Sequence, residues 1–174
     1  MSTSKLEDIL IKRELSVTLD NIFQNSKASS GGQRDVDFVK YLIDNKLLIL
    51  AERCLKRTNI GFSEEYYLER YKKVRYESDR HFLCKAMIQD ELLKQGIATI
   101  SDVDMGNMDV LRMSSLYDIV TDDFSTVIDI GLTPARNYFK CLTDLRVKRY
   151  LLTTYFDDYM DDVIFASFER GDDL

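Results

Sequence analysis

Tryptophan is absent from this chain of 174 residues, and there is one proline, one histidine and three cysteines. Each shortage excludes something. With His81 alone, any scheme pairing a serine or cysteine nucleophile with an imidazole base must run through that residue. Cys54, Cys84 and Cys141 are odd in number and far apart, against a disulfide framework and against a zinc site. They read as reduced, buried thiols in a reducing compartment. The longest apolar run, Leu47 to Ala51, has five residues, far short of the ~20 that span a bilayer. No secretory pattern marks the first residues, Met1-Ser2-Thr3-Ser4-Lys5. The expected setting is intracellular, cytoplasmic or nuclear.

What is present fits one helical domain over residues 1–174. Hydrophobic residues make up 45% and charged residues 31%, and seven glycines leave room for long helices. At 100° per residue, Phe38, Val39, Leu42, Ile43, Ile49 and Leu50 fall on one side of a helix and Leu47, Leu48, Ala51, Cys54 and Leu55 on the other. An apolar surface nearly all round predicts a buried central helix over Val36–Leu55, opened by Asp35.

Around it the pattern predicts further helices. Ser4 with Glu7 forms a capping box, opening a helix over 5–23. Residues 24–34, centred on Asn25–Gln33, are small and polar and read as a flexible loop. Its glycines are followed by Gln-Arg-Asp, not the Gly-Lys-Ser/Thr of a phosphate loop. Ser63 with Glu64 and Glu65 starts a pattern that runs to Gln95 and stops at Gly96. A drift of its apolar face predicts a break near Glu77-Ser78-Asp79, with Ser78 or Asp79 capping the second part. Ile97–Ile100 reads as a short strand or an extended link. Helices are predicted over Met108–Val120 and from Thr121 to Gly131. Thr133-Pro134 opens a long helical segment to Phe168. The fold class is therefore expected to be all-α, a bundle of six or seven helices, with 169–174 as an acidic tail.

Two motifs fail as metal sites. Asp102-Val-Asp104-Met-Gly106-Asn107 resembles half a calcium loop, but Met113 stands where the twelfth-position carboxylate belongs. Tyr159-Met160-Asp161-Asp162 spells the tetrapeptide with which reverse transcriptases hold two metal ions. That chemistry needs a β-hairpin turn and a third carboxylate, whereas the pattern here reads as helical, with Asp157, Asp158, Asp161 and Asp162 opposite the apolar stripe. No catalytic, cofactor-binding or metal-binding set is predicted.

Charge is unevenly spread. Residues 157–174 hold seven acids and one arginine, a balance of −6, equal to the net charge of the chain. Asp157, Asp158, Asp161 and Asp162 are the protein-binding candidates. Residues 70–85 hold six bases and two acids, a balance of +4, interleaved with tyrosines. Lys72, Lys73, Tyr76 and Arg80 are the nucleic-acid candidates, since bases among aromatic rings track phosphates and stack on bases. Net negative charge disfavours general nucleic-acid affinity. The leading expectation is a non-enzymatic interaction module, an adaptor, regulator or accessory subunit with a protein partner. A nucleic-acid-associated accessory factor is the second reading, and homo-oligomerisation stays open. In length and helical habit the chain also resembles virus-type Bcl-2-like regulators, which would imply a helical bundle; their Asn-Trp-Gly-Arg signature is absent.

Overall fold

The computed structural model describes residues 2–16, 18–24, 32–58, 63–74, 76–105, 116–131, 133–154, 156 and 162–171, with the backbone alone at 2–5 and 24. The chain forms a seven-stranded mixed sheet covered on both faces, an α/β fold. This overturns the all-α expectation, and with it the architectural likeness to Bcl-2-like regulators.

The elements run α1 (Ser2–Ile9), β1 (Leu10–Arg13), α2 (Leu19–Gln24), α3 (Gly32–Asp44), β2 (Leu48–Lys56), α4 (Glu64–Arg70) and α5 (Asp79–Lys94). Then come β3 (Thr99–Asp104), β4 (Leu116–Thr121), β5 (Thr126–Ile130), a 3-10 turn at Ala135–Phe139, α6 (Lys140–Thr143), β6 (Arg149–Thr153) and β7 (Asp162–Arg170). Strand order is β1-β2-β7-β6-β5-β4-β3, and among the described residues only β5 and β6 are parallel neighbours. Parallel strands need a crossover; the 3-10 turn and α6 supply it. Leu6, Phe82, Ile88, Ile128, Leu151 and Phe165 build the core on one face, under α1, α4 and α5. Val39, Leu42, Tyr138, Tyr150 and Phe168 build the other, under α2, α3 and the crossover.

The predicted central helix Val36–Leu55 is two elements. Helix α3 stops at Asp44, and Lys46 turns the chain with a left-handed φ of 59°. Leu48–Lys56 then runs as β2, hydrogen-bonded between β1 and β7. A strand covered on both faces is apolar without alternation, so its sequence reads like that of a buried helix. The same physics accounts for the other corrections. The predicted helix over 5–23 is α1, β1 and α2, and α1 begins at Ser2, before the predicted cap at Ser4. The predicted helices over 108–120 and 121–131 give way, where described, to the β4–β5 hairpin. Every residue of β5 and β6 is buried. The segment 133–168 opens with a short helical crossover after Pro134 and then becomes β6 and β7. Of the predicted loop 24–34, Gln24 closes α2 and Gly32–Arg34 open α3; 25–31 lie outside the described residues.

Local start and stop signals hold. Ser63 caps α4 by accepting from the Tyr66 N–H, and Ser78 caps α5 by accepting from the His81 N–H at 3.1 Å. Gly96 ends α5 with a φ of 92°. Cys54, Cys84 and Cys141 are buried and form no disulfide. No helix among the described residues is long and apolar enough to cross a membrane.

Candidate functional site

The single histidine lies at the centre of an ionic network between α5 and the sheet. His81 and Lys85 lie four residues apart on one face of α5, and Glu77, just before the Ser78 cap, continues that row. His81 Nδ1 lies 2.6 Å from Glu77 Oε1, and Nε2 lies 3.1 Å from Asp118 Oδ2 on β4. Lys85, 1% exposed, reaches Glu77 Oε1 at 2.8 Å and Asp102 Oδ2 on β3 at 2.9 Å. Asp102 itself sits at φ 56°, a conformation that aspartate tolerates better than most residues.

Behind this lies a second carboxyl. The regular β4–β5 ladder holds at Ile119–Ile128 and Val120–Val127. Beyond it the side chains take over. The Asp118 N–H donates to Asp129 Oδ1 at 3.0 Å, and the Ile130 N–H donates to Asp118 Oδ2 at 2.9 Å. Asp129 Oδ2 accepts from the Tyr150 hydroxyl at 2.9 Å and from Asn137 Nδ2 at 3.3 Å. Asp118 thus serves the α5 face and Asp129 the crossover face.

The environments push the groups apart. The hydrogen bond to Asp118 raises His81 to about 9 against the pull of burial, and Glu77 adds to it. Burial raises Asp129 to about 7, helped by the charge of Asp118 and opposed by its hydrogen bonds. For Glu77, burial pushes upward, but hydrogen bonds from Lys85, His81 and the Val74 N–H hold it below its ordinary value. Divergent carboxyls of this kind also occur in acid–base sites. Here, however, the imidazole is protonated at neutral pH with both N–H groups donated to carboxylates. It offers no lone pair to abstract a proton. The network reads as a brace tying α5 to β3, β4 and β5. Only the four-residue spacing of Glu77, His81 and Lys85 is a sequence signal for it. Its three aspartates come from separate strands.

The residues predicted from charge fall elsewhere. Lys72 and Lys73 are exposed in the link between α4 and α5, and Lys73 pairs with Asp79. Arg80 is exposed in the first turn of α5, and Tyr76 is 90% exposed. The other tyrosines turn inward: Tyr67 is buried, and the hydroxyls of Tyr66 and Tyr71 both donate to Asp90. Asp157, Asp158 and Asp161 lie outside the described residues. Asp162 opens strand β7, paired in register with Lys56, so it is not on the predicted helical face. The tetrapeptide ending at Asp162 therefore leads into a strand, and the helical setting that argued against a metal site does not hold. Among the described residues no group of three His, Cys, Asp or Glu is placed to hold a metal ion.

Comparison of the chain with protein-family models, with curated proteins and with solved structures finds no match.

Proposed function

We propose that this chain is a non-enzymatic protein-interaction module, an adaptor, regulator or accessory subunit. The observation that carries the reading is an apolar outer surface on α3 and the crossover. Phe38 and Tyr41 are 43% and 57% exposed and stack at 6.4 Å, with Phe139 edge-on to Phe38 at 5.2 Å. Leu145, 77% exposed, borders a shallow groove of about 340 Å³ with Leu47, Leu142 and Arg170, whose guanidinium is turned to the Cys141 and Val147 carbonyls. Exposed apolar groups gathered on one surface mark contact sites, and aromatic side chains dominate interface cores. The saturated ionic network supports the same reading, because its basic groups are already engaged. The fitting partner presents aliphatic side chains to this surface. The acid-rich stretch ending at Asp162 adds long-range steering toward a basic partner, which raises encounter rate more than final affinity.

The test is crosslinking in the native cell, followed by mass spectrometry, with the parent chain and a Phe38→Ser, Tyr41→Ser, Leu145→Ser variant. The reading expects an unchanged circular dichroism spectrum and loss of the main crosslinked partner. An unchanged set of partners overturns it.

A second reading, a nucleic-acid-associated accessory factor, draws on one observation. Tyr76 is 90% exposed and lies within four residues in sequence of the exposed Lys72, Lys73 and Arg80. It expects binding to single-stranded RNA or DNA that falls steeply with salt and weakens on Tyr76→Ala. Flat salt dependence removes it.

A further inference from the structure

Across the middle of the sheet, Glu52 on β2, Ala166 on β7 and Leu152 on β6 stand in one register row. A methyl group sits between two long side chains, and a small residue in such a row leaves space that its neighbours cannot fill. A cavity of about 260 Å³ lies there, with Ile22 of α2 over it and Ile164 beside it. It reaches Gly131 and Thr153, the carboxyl ends of the parallel pair β5 and β6, which are joined by a 2.8 Å hydrogen bond from the Gly131 N–H to the Thr153 carbonyl. Crevices outside the carboxyl ends of parallel strands are recurrent ligand sites in α/β sheets.

Among the polar residues that line this cavity, Asn21, Glu52, Thr153 and Thr154, the charged one is Glu52, 1% exposed. Its Oε1 accepts from the Ser16 N–H at 3.3 Å and the Ser16 hydroxyl at 2.7 Å. Its Oε2 meets, among the described residues, only Arg13 Nε at 3.6 Å, longer than a hydrogen bond. Beyond that ion pair, the carboxylate oxygen has lone pairs left to accept a further hydrogen bond. The cavity lies beside it.

We propose that this cavity is a binding site for a small amine, its aliphatic or aromatic body packed on Ile22, Leu152 and Ile164 and its N–H donors given to Glu52. The site is smaller than the usual range of about 300–1,000 Å³ for ligand pockets, so the ligand has the size of a short alkyl or benzyl amine. A cationic donor fits better than a neutral one, because hydrogen bonds to charged partners are the strong ones. A carboxylate ligand is repelled. This inference is independent of the interaction surface on α3.

The probes are hexylamine, hexanol and hexanoate, titrated into the full chain and followed by amide chemical shifts. Hexylamine is expected to saturate with shifts at Gly131, Thr153 and Ala166. Hexanol is expected to bind at least tenfold more weakly, and hexanoate not at all. Ala166→Leu fills the space and is expected to abolish hexylamine binding while the melting temperature holds or rises. Glu52→Gln is expected to bring hexylamine and hexanol to equal affinity; should that variant not fold, the comparison of the three probes on the parent chain still decides. Equal binding of hexanol and hexylamine by the parent overturns the proposal. So does saturable binding of none of the three, or hexylamine binding that survives Ala166→Leu.

Discussion

Asp118 and Asp129 take the place of backbone partners where the β4–β5 ladder stops. The Asp118 N–H donates to the Asp129 carboxyl, and the Asp118 carboxylate accepts from the Ile130 N–H. Two acids this close cannot both ionise cheaply, and the more deeply buried one yields. Asp129 is that one, 2% exposed. Asp118 faces the other way as well, its Oδ2 3.1 Å from His81 Nε2.

This sets a pH dependence. His81 rises from 6.5 to about 9 in the fold, so its contribution is complete below pH 6.5 and lost as pH climbs through 9. Asp129 rises from 3.8 to about 7, so its contribution is complete below pH 4 and lost as pH passes 7. Glu77 is lowered, so its contribution is present above its ordinary 4.5 and lost on acidification. Melting temperature should therefore be highest near pH 5 and fall toward pH 9. The His81 part corresponds to about 3 kcal/mol at 1.36 kcal/mol per decade, and His81→Ala should flatten the fall between pH 7 and 9. A melting temperature that rises over that range contradicts the brace.

Asp129→Asn should show the opposite balance. The amide keeps an oxygen for the Asp118 N–H and removes the buried acid. At pH 8 the variant should match or exceed the parent in stability, and at pH 5 it should be less stable. Urea melts at the two pH values measure this, and a uniform loss at both would mean that the site needs the carboxyl whatever its charge.

Leu48 and Leu50 separate a strand from a helix. In a helix buried all round, both would cost the same on truncation. In β2, Leu48 is fully buried and Leu50 only partly. Leu48→Ala should cost ~2–5 kcal/mol, and Leu50→Ala less than half of that. Equal losses in denaturant melts would put the strand assignment in doubt.

Gly171 ends β7 against the turn that precedes β2. Its N–H donates to the Leu47 carbonyl at 3.0 Å, and a Cβ built there would overlap the Lys46 carbonyl. Backbone cannot step aside as a side chain can, so Gly171→Ala should cost about 2 kcal/mol or more. Gly32→Ala, where a Cβ meets nothing within 4 Å, should stay within about 0.5 kcal/mol of the parent. Thermal melts of the two variants side by side provide the check.

What the sequence determined by itself is what depends on a few neighbouring residues. Ser63, Ser78 and Gly96 marked helix ends correctly because a hydroxyl bonds its own helix, and because a left-handed turn favours glycine. Leu48 and Leu55 were legible as core because burial follows from side-chain chemistry in either kind of element. What only the tertiary structure decided is the partner of each strand. Residues 48–56 are apolar enough for a helix or a doubly covered strand. The choice falls to β7, more than 100 residues away, whose nine paired residues supply the hydrogen bonds. The aspartates of the brace follow from the same pairing, since β3 and β4 bring Asp102 and Asp118 beside α5, and β5 sets Asp129 behind Asp118, only when the sheet closes. No local spacing encodes that, because the hydrogen bonds that fix a sheet join residues distant in the chain.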